Sequence, residues 1–281
     1  MNHADKRHIK AHFGFTKLPF SKYAWAKNMF DSSSQRELFD GLVLWSDIHG
    51  ISLGTGASGV GKSITVRRFV QSRDESRIRV FAFSYLPTTV AGFLRLLNRT
   101  LGLSMRHHVA DLFDQAQKFL ASFQKEQGPH PLLLIDDAEG LSMPVLDVLR
   151  RLTCYELDAE DRFSLLLVGT EEMLTTLRHP SLAPLCSRIR YAHALRPFTF
   201  EDTRNYVTHH LTRAEVDPKL FSDEAVRHLF QGSMGRPRLI NQLALQALIR
   251  AAVIGREHID GEFMAKEIAA HPLYHVASSS Q

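Results

Sequence analysis

Residues 56–63 read Gly-Ala-Ser-Gly-Val-Gly-Lys-Ser, and they say more about the architecture than any other part of the chain. They satisfy the pattern G-x-x-x-x-G-K-[ST] at every fixed position, after a short apolar run and before a stretch with helical periodicity. The glycines of this pattern let backbone N–H groups face inward as a cradle for phosphate oxygens. We therefore predict a nucleotide-phosphate loop in which Lys62 reaches the β- and γ-phosphates of ATP and the Ser63 hydroxyl ligates Mg²⁺. The predicted phosphate-binding residues are Gly56, Ala57, Ser58, Gly59, Val60, Gly61, Lys62 and Ser63.

A pair of carboxylates follows a second apolar run. Residues 132–135 read Leu-Leu-Leu-Ile and lead directly into Asp136 and Asp137. A buried strand that delivers a carboxylate at its end is the arrangement that holds Mg²⁺ beside nucleotide phosphates, so Asp136 is the second predicted metal ligand. Asp137 is predicted to activate the attacking water. Glu139 either substitutes in that role or is an exposed loop carboxylate.

Three other positions carry polar groups that could act on the same nucleotide. Thr170 follows the apolar run at residues 163–168, and it either contacts the γ-phosphate or caps the next helix. Arg188 precedes the last predicted strand, where an arginine can reach the γ-phosphate of a neighbouring subunit. Arg190 is the second choice for that role, and a surface salt bridge is the alternative for both.

The segment Gly235-Arg236-Pro237-Arg238 places two arginines at a predicted helix start, with the proline suited to the first turn. Arg238 is predicted to bind the nucleotide and to respond to hydrolysis, whereas Arg236 is the weaker candidate for this role.

Apolar runs alternate with amphipathic stretches from residue 51 to residue 195. The runs are rich in Val, Ile, Leu and Phe and predict strands, and the stretches between them predict helices. This alternation is typical of a parallel, doubly wound sheet, so the predicted fold class is α/β. The predicted strands are residues 51–53, 78–83, 132–135, 163–168 and 189–195, and the predicted helices are residues 65–71, 90–101, 111–124 and 145–155.

After Pro197 the pattern indicates helices alone. Thr199 and Asp202 have the spacing of a capping box, which predicts a helix that runs to about residue 213. Further helices are predicted at residues 222–230, 237–253 and 261–269. The chain is therefore divided into a basic N-terminal arm (1–40), an α/β domain (41–198), a small helical domain (199–270) and a flexible tail (271–281).

Composition excludes several classes of protein. The 281 residues are 44% hydrophobic and 23% charged, which is ordinary for a globular protein. No apolar run approaches the roughly 18 residues of a membrane span, and the N-terminus lacks a hydrophobic signal core. The two cysteines, Cys154 and Cys186, have no metal-ligand spacing. We therefore expect a cytoplasmic protein without a disulfide framework, a structural zinc or a membrane segment.

Basic residues are concentrated in two segments. Residues 1–36 contain seven Lys or Arg and two acidic residues, and residues 60–110 contain nine Lys or Arg and two acidic residues. The two segments predict either a surface that faces a polyanion or a set of solvated helix faces. The aromatic side chains within the second segment, Phe81, Phe83, Tyr85 and Phe93, are explained better by core packing than by base stacking. The candidate phosphate contacts in the second segment are Arg73, Arg77, Arg79, Arg95, Arg99 and Arg106, with His107 beside the last.

Taken together, the segments GASGVGKS, LLLIDDAEGL, LLLVGT, LCSRI and GRPRLIN resemble those of AAA+ ATPases of the initiator-related group. Within that group they are similar to the ExeA-like ATPases and to the transposition regulators TnsC, TniB and MuB. Phe13-Gly14-Phe15 and Pro19-Phe20 are similar to the start of ExeA-like chains, in which this segment packs near the adenine. The resemblance covers roughly residues 13–255. One departure is Asp137, because ExeA-like chains usually carry Glu there, and this puts fast hydrolysis in doubt.

The resemblance implies a P-loop domain with a five-stranded parallel sheet, a helical lid domain, and ATP-dependent assembly into rings or helical filaments. ExeA-like secretion ATPases also carry a membrane helix and a cell-wall-binding extension, which this sequence does not show. We therefore expect an oligomeric regulator that coats duplex DNA in its ATP state and recruits a transposase or a target-selection protein. The resemblance thereby makes the candidate phosphate contacts of residues 60–110 the expected contacts with DNA. The alternatives are a secretion-associated ATPase and an ATP-driven protein-remodelling adaptor that does not bind DNA. A P-loop kinase for a small molecule fits the two arginine motifs less well.

Overall fold

A computed structural model of the protein describes residues 3–21, 29–83, 85–125, 128–154 and 161–271. In chain order its elements are α1 (His3–Phe13), α2 (Ser33–Ile48), β1 (Ile51–Thr55), α3 (Lys62–Gln71), β2 (Ile78–Phe83), α4 (Val90–Thr100), α5 (Val109–Lys125), β3 (His130–Ile135), α6 (Met143–Leu152), β4 (Ser164–Val168), α7 (Glu172–Leu177), α8 (Ala183–Cys186), β5 (Ile189–Ala194), α9 (Phe200–Arg213), α10 (Asp223–Ser233), α11 (Pro237–Val253) and α12 (Gly261–Ala269). No described helix is both long enough and apolar enough to cross a membrane.

The five strands form one sheet in the order β2-β3-β4-β1-β5, and every neighbouring pair is parallel. The central strands β1 and β4 are buried along their whole length, because helices cover both faces of such a sheet. The edge strand β5 alternates between half-buried and exposed residues. The predicted α/β class and the five-stranded parallel sheet are therefore confirmed.

The described chain separates into two compact units. The α/β unit comprises the described parts of Ser33–Ala57 and Lys62–Leu195, and its core includes the fully buried Leu133, Leu165 and Leu167. The helical unit comprises the described parts of Met1–Ser32, Ser58–Gly61 and Arg196–Gln281. Its core joins Phe15 and Phe20 from the N-terminal segment to side chains of α9, α10, α11 and α12.

The start of the helical unit follows the local signals in the sequence. Thr199 caps α9, with its hydroxyl accepting from the Asp202 N–H and the Asp202 carboxylate accepting from the Thr199 N–H. Pro237 occupies the first turn of α11, where a missing N–H costs nothing. The change of unit falls between Leu195 and Arg196, close to the expected division near Pro197.

Several boundaries differ from the expectations. The proposed arm over residues 1–40 ends inside α2, a helix that belongs to the α/β unit and buries Leu38, Leu42 and Trp45. The helix expected at residues 145–155 begins at Met143 and ends at Leu152. The flexible tail expected at residues 271–281 lies outside the described residues, apart from residue 271.

Candidate nucleotide-binding site

The sheet topology brings the predicted phosphate and metal ligands to one edge. Because β3, β4 and β1 are adjacent and parallel, the loops that follow them leave the same edge of the sheet. These loops begin with Gly56 after β1, with Asp136 after β3 and with Gly169 after β4. Ligands of open α/β sheets bind at this carboxyl edge, where the strand order reverses. Gly56, Asp136 and Gly169 therefore share one edge of the sheet in the α/β unit.

The loop after β1 has the backbone of a phosphate cradle. Gly59 and Gly61 have φ values of 82° and 111°, which residues with a side chain rarely adopt. Lys62 begins α3, whose first-turn N–H groups lack helical partners and can donate to an anion. The Lys62 ammonium is buried and donates to the carbonyl oxygens of Gly56 and Ala57 at 2.8 and 3.2 Å. The neighbouring Ser63 is exposed, as a hydroxyl that ligates a metal must be.

Within the helical unit, Arg238 lies against the tip of this loop. Its backbone N–H donates to the Gly59 carbonyl at 3.2 Å, and its Nη1 donates to the Ser58 hydroxyl at 3.4 Å. A Cβ atom at position 59 would lie 2.9 Å from the Arg238 Cβ, so only glycine fits there. Arg236 instead directs its Nη2 to the Met234 sulfur at 3.8 Å. The geometry therefore favours Arg238 over Arg236 as the arginine that responds to the nucleotide.

The loop after β3 turns sharply at its second carboxylate. Asp137 has φ 54° and ψ 39°, a left-handed conformation that aspartate and asparagine adopt more readily than other residues with a side chain. Its N–H donates to Oδ1 of Asp136 at 3.0 Å, which orients the preceding carboxylate. This backbone gives a physical reason for aspartate here in place of the glutamate of ExeA-like chains. No group of three His, Cys, Asp or Glu side chains in the described residues could hold a metal alone.

The loop after β4 carries a buried hydroxyl. Thr170 Oγ1 is inaccessible to solvent and forms no hydrogen bond with any described residue. Its N–H donates to Oε2 of Glu139 at 3.0 Å, so Glu139 is not an exposed loop carboxylate. Because its hydroxyl forms no hydrogen bond with any described residue, the Thr170 side chain does not cap the following helix α7. A buried hydroxyl without a partner is costly unless a ligand or water satisfies it.

These groups fit ATP with Mg²⁺. The loop after β1 offers a glycine cradle and a lysine, and Ser63 with Asp136 offers the one hydroxyl and one carboxylate that Mg²⁺ commonly takes alongside substrate phosphates. Thr170 supplies a hydroxyl that a phosphate oxygen could satisfy.

The two arginines next to β5 are both engaged within the subunit. Arg188 donates to the Pro184 carbonyl at 2.6 Å and to the Cys154 sulfur at 3.6 Å. Arg190 donates to the Ile48 carbonyl at 3.0 Å and forms an ion pair with Asp161 at 2.7 Å. Both arginines are therefore held within the subunit, and the preference for Arg188 over Arg190 as the contact with another subunit stays a prediction.

A comparison of the sequence with known families matches residues 48–177 to the family described as AAA domain. This stretch of the chain is therefore similar to an AAA domain. This is an ATPase domain, with ATP and Mg²⁺ as its usual ligands, in agreement with the predicted enzyme class and cofactors.

A curated relative and two solved structures extend this result. General secretion pathway protein A of Aeromonas hydrophila is 29% identical over 255 residues, which is 88% of this chain and 45% of that protein. The chain thus spans about half the length of this relative. The ORC2 protein of Aeropyrum pernix, solved as ADPNP-ADP complexes, has a TM-score of 0.66 at 15% identity, over 90% of this chain and 73% of that one. The A. pernix ORC1 protein in complex with DNA has a TM-score of 0.59 at 18% identity, over 90% of this chain and 65% of that one.

These comparisons support the AAA+ and ExeA-like parts of the predicted resemblance. The two solved structures share the fold at low identity, and the curated relative supports the ExeA-like group. The transposition regulators find no support in them.

The arginines predicted to contact DNA lie at both ends of β2. Arg73 and Arg77 line a cavity of about 550 Å³ before the strand begins. Arg99 donates to the Tyr85 hydroxyl at 2.7 Å just beyond the strand's other end. Since six strand residues span about 20 Å, these arginines form two groups and not one patch.

The remaining candidates are spread over the surface of the α/β unit. Arg79 is exposed on β2, with its guanidinium 5.5 Å from the Phe81 ring centroid. Arg95, Arg106 and His107 are also exposed. The core-packing alternative holds for the aromatic residues Phe81, Phe83 and Phe93, which are buried, whereas Tyr85 is 53% exposed.

A histidine pair at the opposite, amino edge of the sheet was not anticipated. The His49 and His130 rings stack with centroids 3.7 Å apart, and His130 Nε2 lies 3.0 Å from the Ser164 hydroxyl. Burial, with a smaller effect of His49, lowers the pKa of His130 to about 3. The two residues are 81 positions apart, and no local pattern in the sequence could have paired them.

Proposed function

We propose that this chain is an ATP-hydrolysing switch that works as an assembly of identical subunits. The observation that carries the proposal is the buried, unpartnered Thr170 hydroxyl at the edge where the phosphate loop and Asp136 also lie. That arrangement suits a site that distinguishes ATP from ADP by its terminal phosphate.

Each residue has a defined task in the proposed reaction. The backbone of residues 56–63 and Lys62 bind the phosphates, and Ser63 and Asp136 hold Mg²⁺, which neutralises charge on the phosphate oxygens. Asp137 orients the attacking water and accepts its proton. Thr170 donates its hydroxyl hydrogen to a γ-phosphate oxygen, and Arg188 of a neighbouring subunit stabilises charge on the transferred group. Arg238, which lies on the loop tip, responds to the loss of that group.

Duplex DNA is the partner that we propose for the ATP-bound assembly, with a transposase or target-selection protein as the recruited partner. Support for DNA comes from the exposed arginines Arg79, Arg95, Arg99 and Arg106, and from Arg73 and Arg77 at the other end of β2. Contacts of this kind bind phosphates without reading sequence. The recruited partner is supported by the resemblance alone.

The match to general secretion pathway protein A favours a second candidate, a secretion-associated ATPase. In this alternative, ATP-driven changes of the same site act on a protein partner and the arginines are solvated surface residues.

Fluorescence anisotropy on a labelled duplex separates the two candidates. Wild-type protein is titrated with a non-hydrolysable ATP analogue or with ADP, from about 50 to about 300 mM salt. Binding only with the ATP analogue, falling steeply with salt, supports the DNA-bound assembly. Absence of binding in both nucleotide states removes DNA and leaves the secretion-associated candidate.

An arginine variant tests whether the contact is local. Arg77→Ala should lower the slope of log affinity against log salt by about 1, since one phosphate contact is lost. Arg204→Ala is the matched control, because it removes the same charge from the helical unit, where Arg204 pairs with Glu201. Equal slopes for both variants would contradict a DNA contact at Arg77.

A further inference from the structure

Glu139 joins two of the loops at the nucleotide edge. It lies in the turn after β3, three residues beyond Asp136, and its Oε2 accepts the Thr170 N–H at 3.0 Å. Thr170 belongs to the loop after β4, so this hydrogen bond crosses from the carboxylate loop to the hydroxyl loop. The bond connects residues 31 positions apart in the chain.

The end of β4 also packs closely against Glu139. A Cβ atom built at Gly169 would lie 2.7 Å from Glu139 Oε2 and 3.3 Å from the Glu139 backbone nitrogen. A side chain at position 169 would therefore push the Glu139 carboxylate away. The absence of a side chain at Gly169 and the acceptor on Glu139 together keep the two loops in contact.

The Thr170 hydroxyl has no other group to set its place. Its Oγ1 is buried and unpartnered among the described residues, so no hydrogen bond of its own orients it. Two hydrogen bonds instead hold the backbone that carries the hydroxyl. The Thr170 N–H donates to Glu139, and the Met173 N–H donates to the Thr170 carbonyl oxygen at 3.1 Å. Of these two bonds, the one to Glu139 links Thr170 to the loop that carries Asp136 and Asp137.

We propose that Glu139 is a positioning residue that holds the Thr170 hydroxyl at the γ-phosphate through the Thr170 N–H, while Asp137 remains the residue that activates water. This inference rests on the proposed ATP hydrolysis. It assigns Glu139 a task that needs a hydrogen-bond acceptor and no negative charge.

Two variants of Glu139, one conservative and one that removes the carboxylate, separate positioning from base catalysis. Glu139→Gln keeps an acceptor oxygen and should retain kcat within about threefold, whereas Glu139→Ala should lower kcat about 10-fold, since a small misplacement of a reacting group is enough for this loss. Glu172→Ala removes a nearby exposed carboxylate and should have no effect. If Glu139→Gln is as inactive as Glu139→Ala, Glu139 is the base and the proposal is wrong. If both variants match wild type, it is wrong as well.

A double-mutant cycle tests whether Glu139 acts through Thr170. Thr170→Val removes the hydroxyl, so adding Glu139→Ala to it should lower kcat no further than about twofold. Gly169→Ala should act like Glu139→Ala, because its methyl group displaces the carboxylate without changing Glu139. If the losses of kcat in the two single variants multiply in the double variant, Glu139 acts independently of Thr170 and the proposal is wrong.

Nucleotide discrimination supplies a measurement without turnover. The affinity ratio of a non-hydrolysable ATP analogue to ADP should fall about 10-fold in Glu139→Ala and stay unchanged in Glu139→Gln. If wild-type protein does not hydrolyse ATP, the proposed function fails, but this ratio still decides the role of Glu139. An unchanged ratio in Glu139→Ala would contradict that role.

Discussion

The two edges of the sheet use similar residues in opposite ways. At the carboxyl edge, Thr170 presents a buried hydroxyl that no described residue satisfies. At the amino edge, several polar groups pair with one another, as in the hydrogen bond between His130 and Ser164 and the ion pair between Arg190 and Asp161, but Nδ1 of His49 is buried there without a hydrogen-bond partner among the described residues. A polar residue next to an apolar strand, or a buried polar atom without a partner, is therefore not by itself a sign of chemistry. What distinguishes the carboxyl edge is that Thr170 shares it with the phosphate loop and Asp136.

This difference has a physical cause in parallel sheets. Helices begin after the strands at the carboxyl edge, so their unpaired N–H groups make that edge suited to anions. The amino edge receives helix C-termini, and its polar side chains gain more by pairing with each other. Substitutions at the carboxyl edge should therefore change activity, and those at the amino edge should change stability, except at Arg188, which is proposed to act on a neighbouring subunit.

The largest effect is expected for Lys62→Ala at the carboxyl edge. Loss of this ammonium should lower the ATP hydrolysis rate about 1,000-fold, because it removes a preorganised charge from the phosphate site. Two hydrogen bonds to Gly56 and Ala57 are lost as well, at a cost of about 1–2 kcal/mol in the free energy of unfolding. Phosphate release and thermal unfolding measure the two effects. Lys118→Ala, which breaks an exposed ion pair to Asp114, is the control, and persistent turnover in Lys62→Ala would refute the catalytic assignment.

Arg188→Ala should remove the part of the hydrolysis rate that depends on assembly. The loss is expected to be about 100-fold, with nucleotide affinity close to wild type, since the arginine acts on a neighbouring subunit. Arg190→Ala is the matched variant and should keep the rate but lower the free energy of unfolding by up to about 1 kcal/mol, through its ion pair. The rate is measured against protein concentration. If Arg190→Ala loses the assembly-dependent rate and Arg188→Ala keeps it, the trans contact belongs to Arg190.

Thr170→Val should separate activity from stability. Hydrolysis should fall about 10- to 100-fold, the value of one hydrogen bond to a charged group. The free energy of unfolding without nucleotide should stay constant or rise, because valine replaces a buried hydroxyl that has no partner. Urea unfolding and phosphate release are measured on the same samples. A clear loss of stability would mean that the hydroxyl is satisfied within the protein.

The smallest effect concerns His130 at the amino edge. Burial lowers its pKa to about 3 from the ordinary value of 6.5, so between these pH values the unfolded chain binds a proton that the folded protein does not. Stability should therefore fall as the pH is lowered below 6.5. In His130→Gln, the loss of unfolding free energy between pH 7 and pH 5 should be smaller than in wild type by about 1 kcal/mol, since His130 is only partly buried. Urea unfolding at both pH values measures this change in the free energy of unfolding. His258→Gln, which replaces an exposed histidine, is the control. If wild type and His130→Gln show the same pH dependence, the prediction is wrong.

Local signals in the sequence predict much of the fold. The bounds of β2, α11 and α12 agree with the expectation. An apolar run marks β2, Pro237 in the first turn marks the start of α11, and Asp260 caps α12. Helix α2 was not predicted, although Leu38, Leu42 and Trp45 lie on its buried face. Its start among serines resembles a loop, and the basic residues around it suggested an arm.

The functional edge could be predicted only in part. The motifs at Lys62, Asp136 and Thr170 each follow a strand, and parallel strands bring their ends together, so their shared location follows from the sequence. The left-handed backbone of Asp137 and the hydrogen bond of Glu139 to Thr170 could not be predicted. Both depend on how two loops pack, and no short-range pattern records that packing.

The discontinuous chain of the helical unit affects how the protein is made. Helix α1 packs on α11, and Phe15 and Phe20 belong to the helical core, so the first part of the chain needs partners near its end. At about 5–20 residues per second, a ribosome needs roughly 10–40 s to synthesise the intervening residues. During that time the apolar side chains of the N-terminal segment have no core to enter. The nascent chain therefore exposes these apolar side chains until α9 to α12 have emerged.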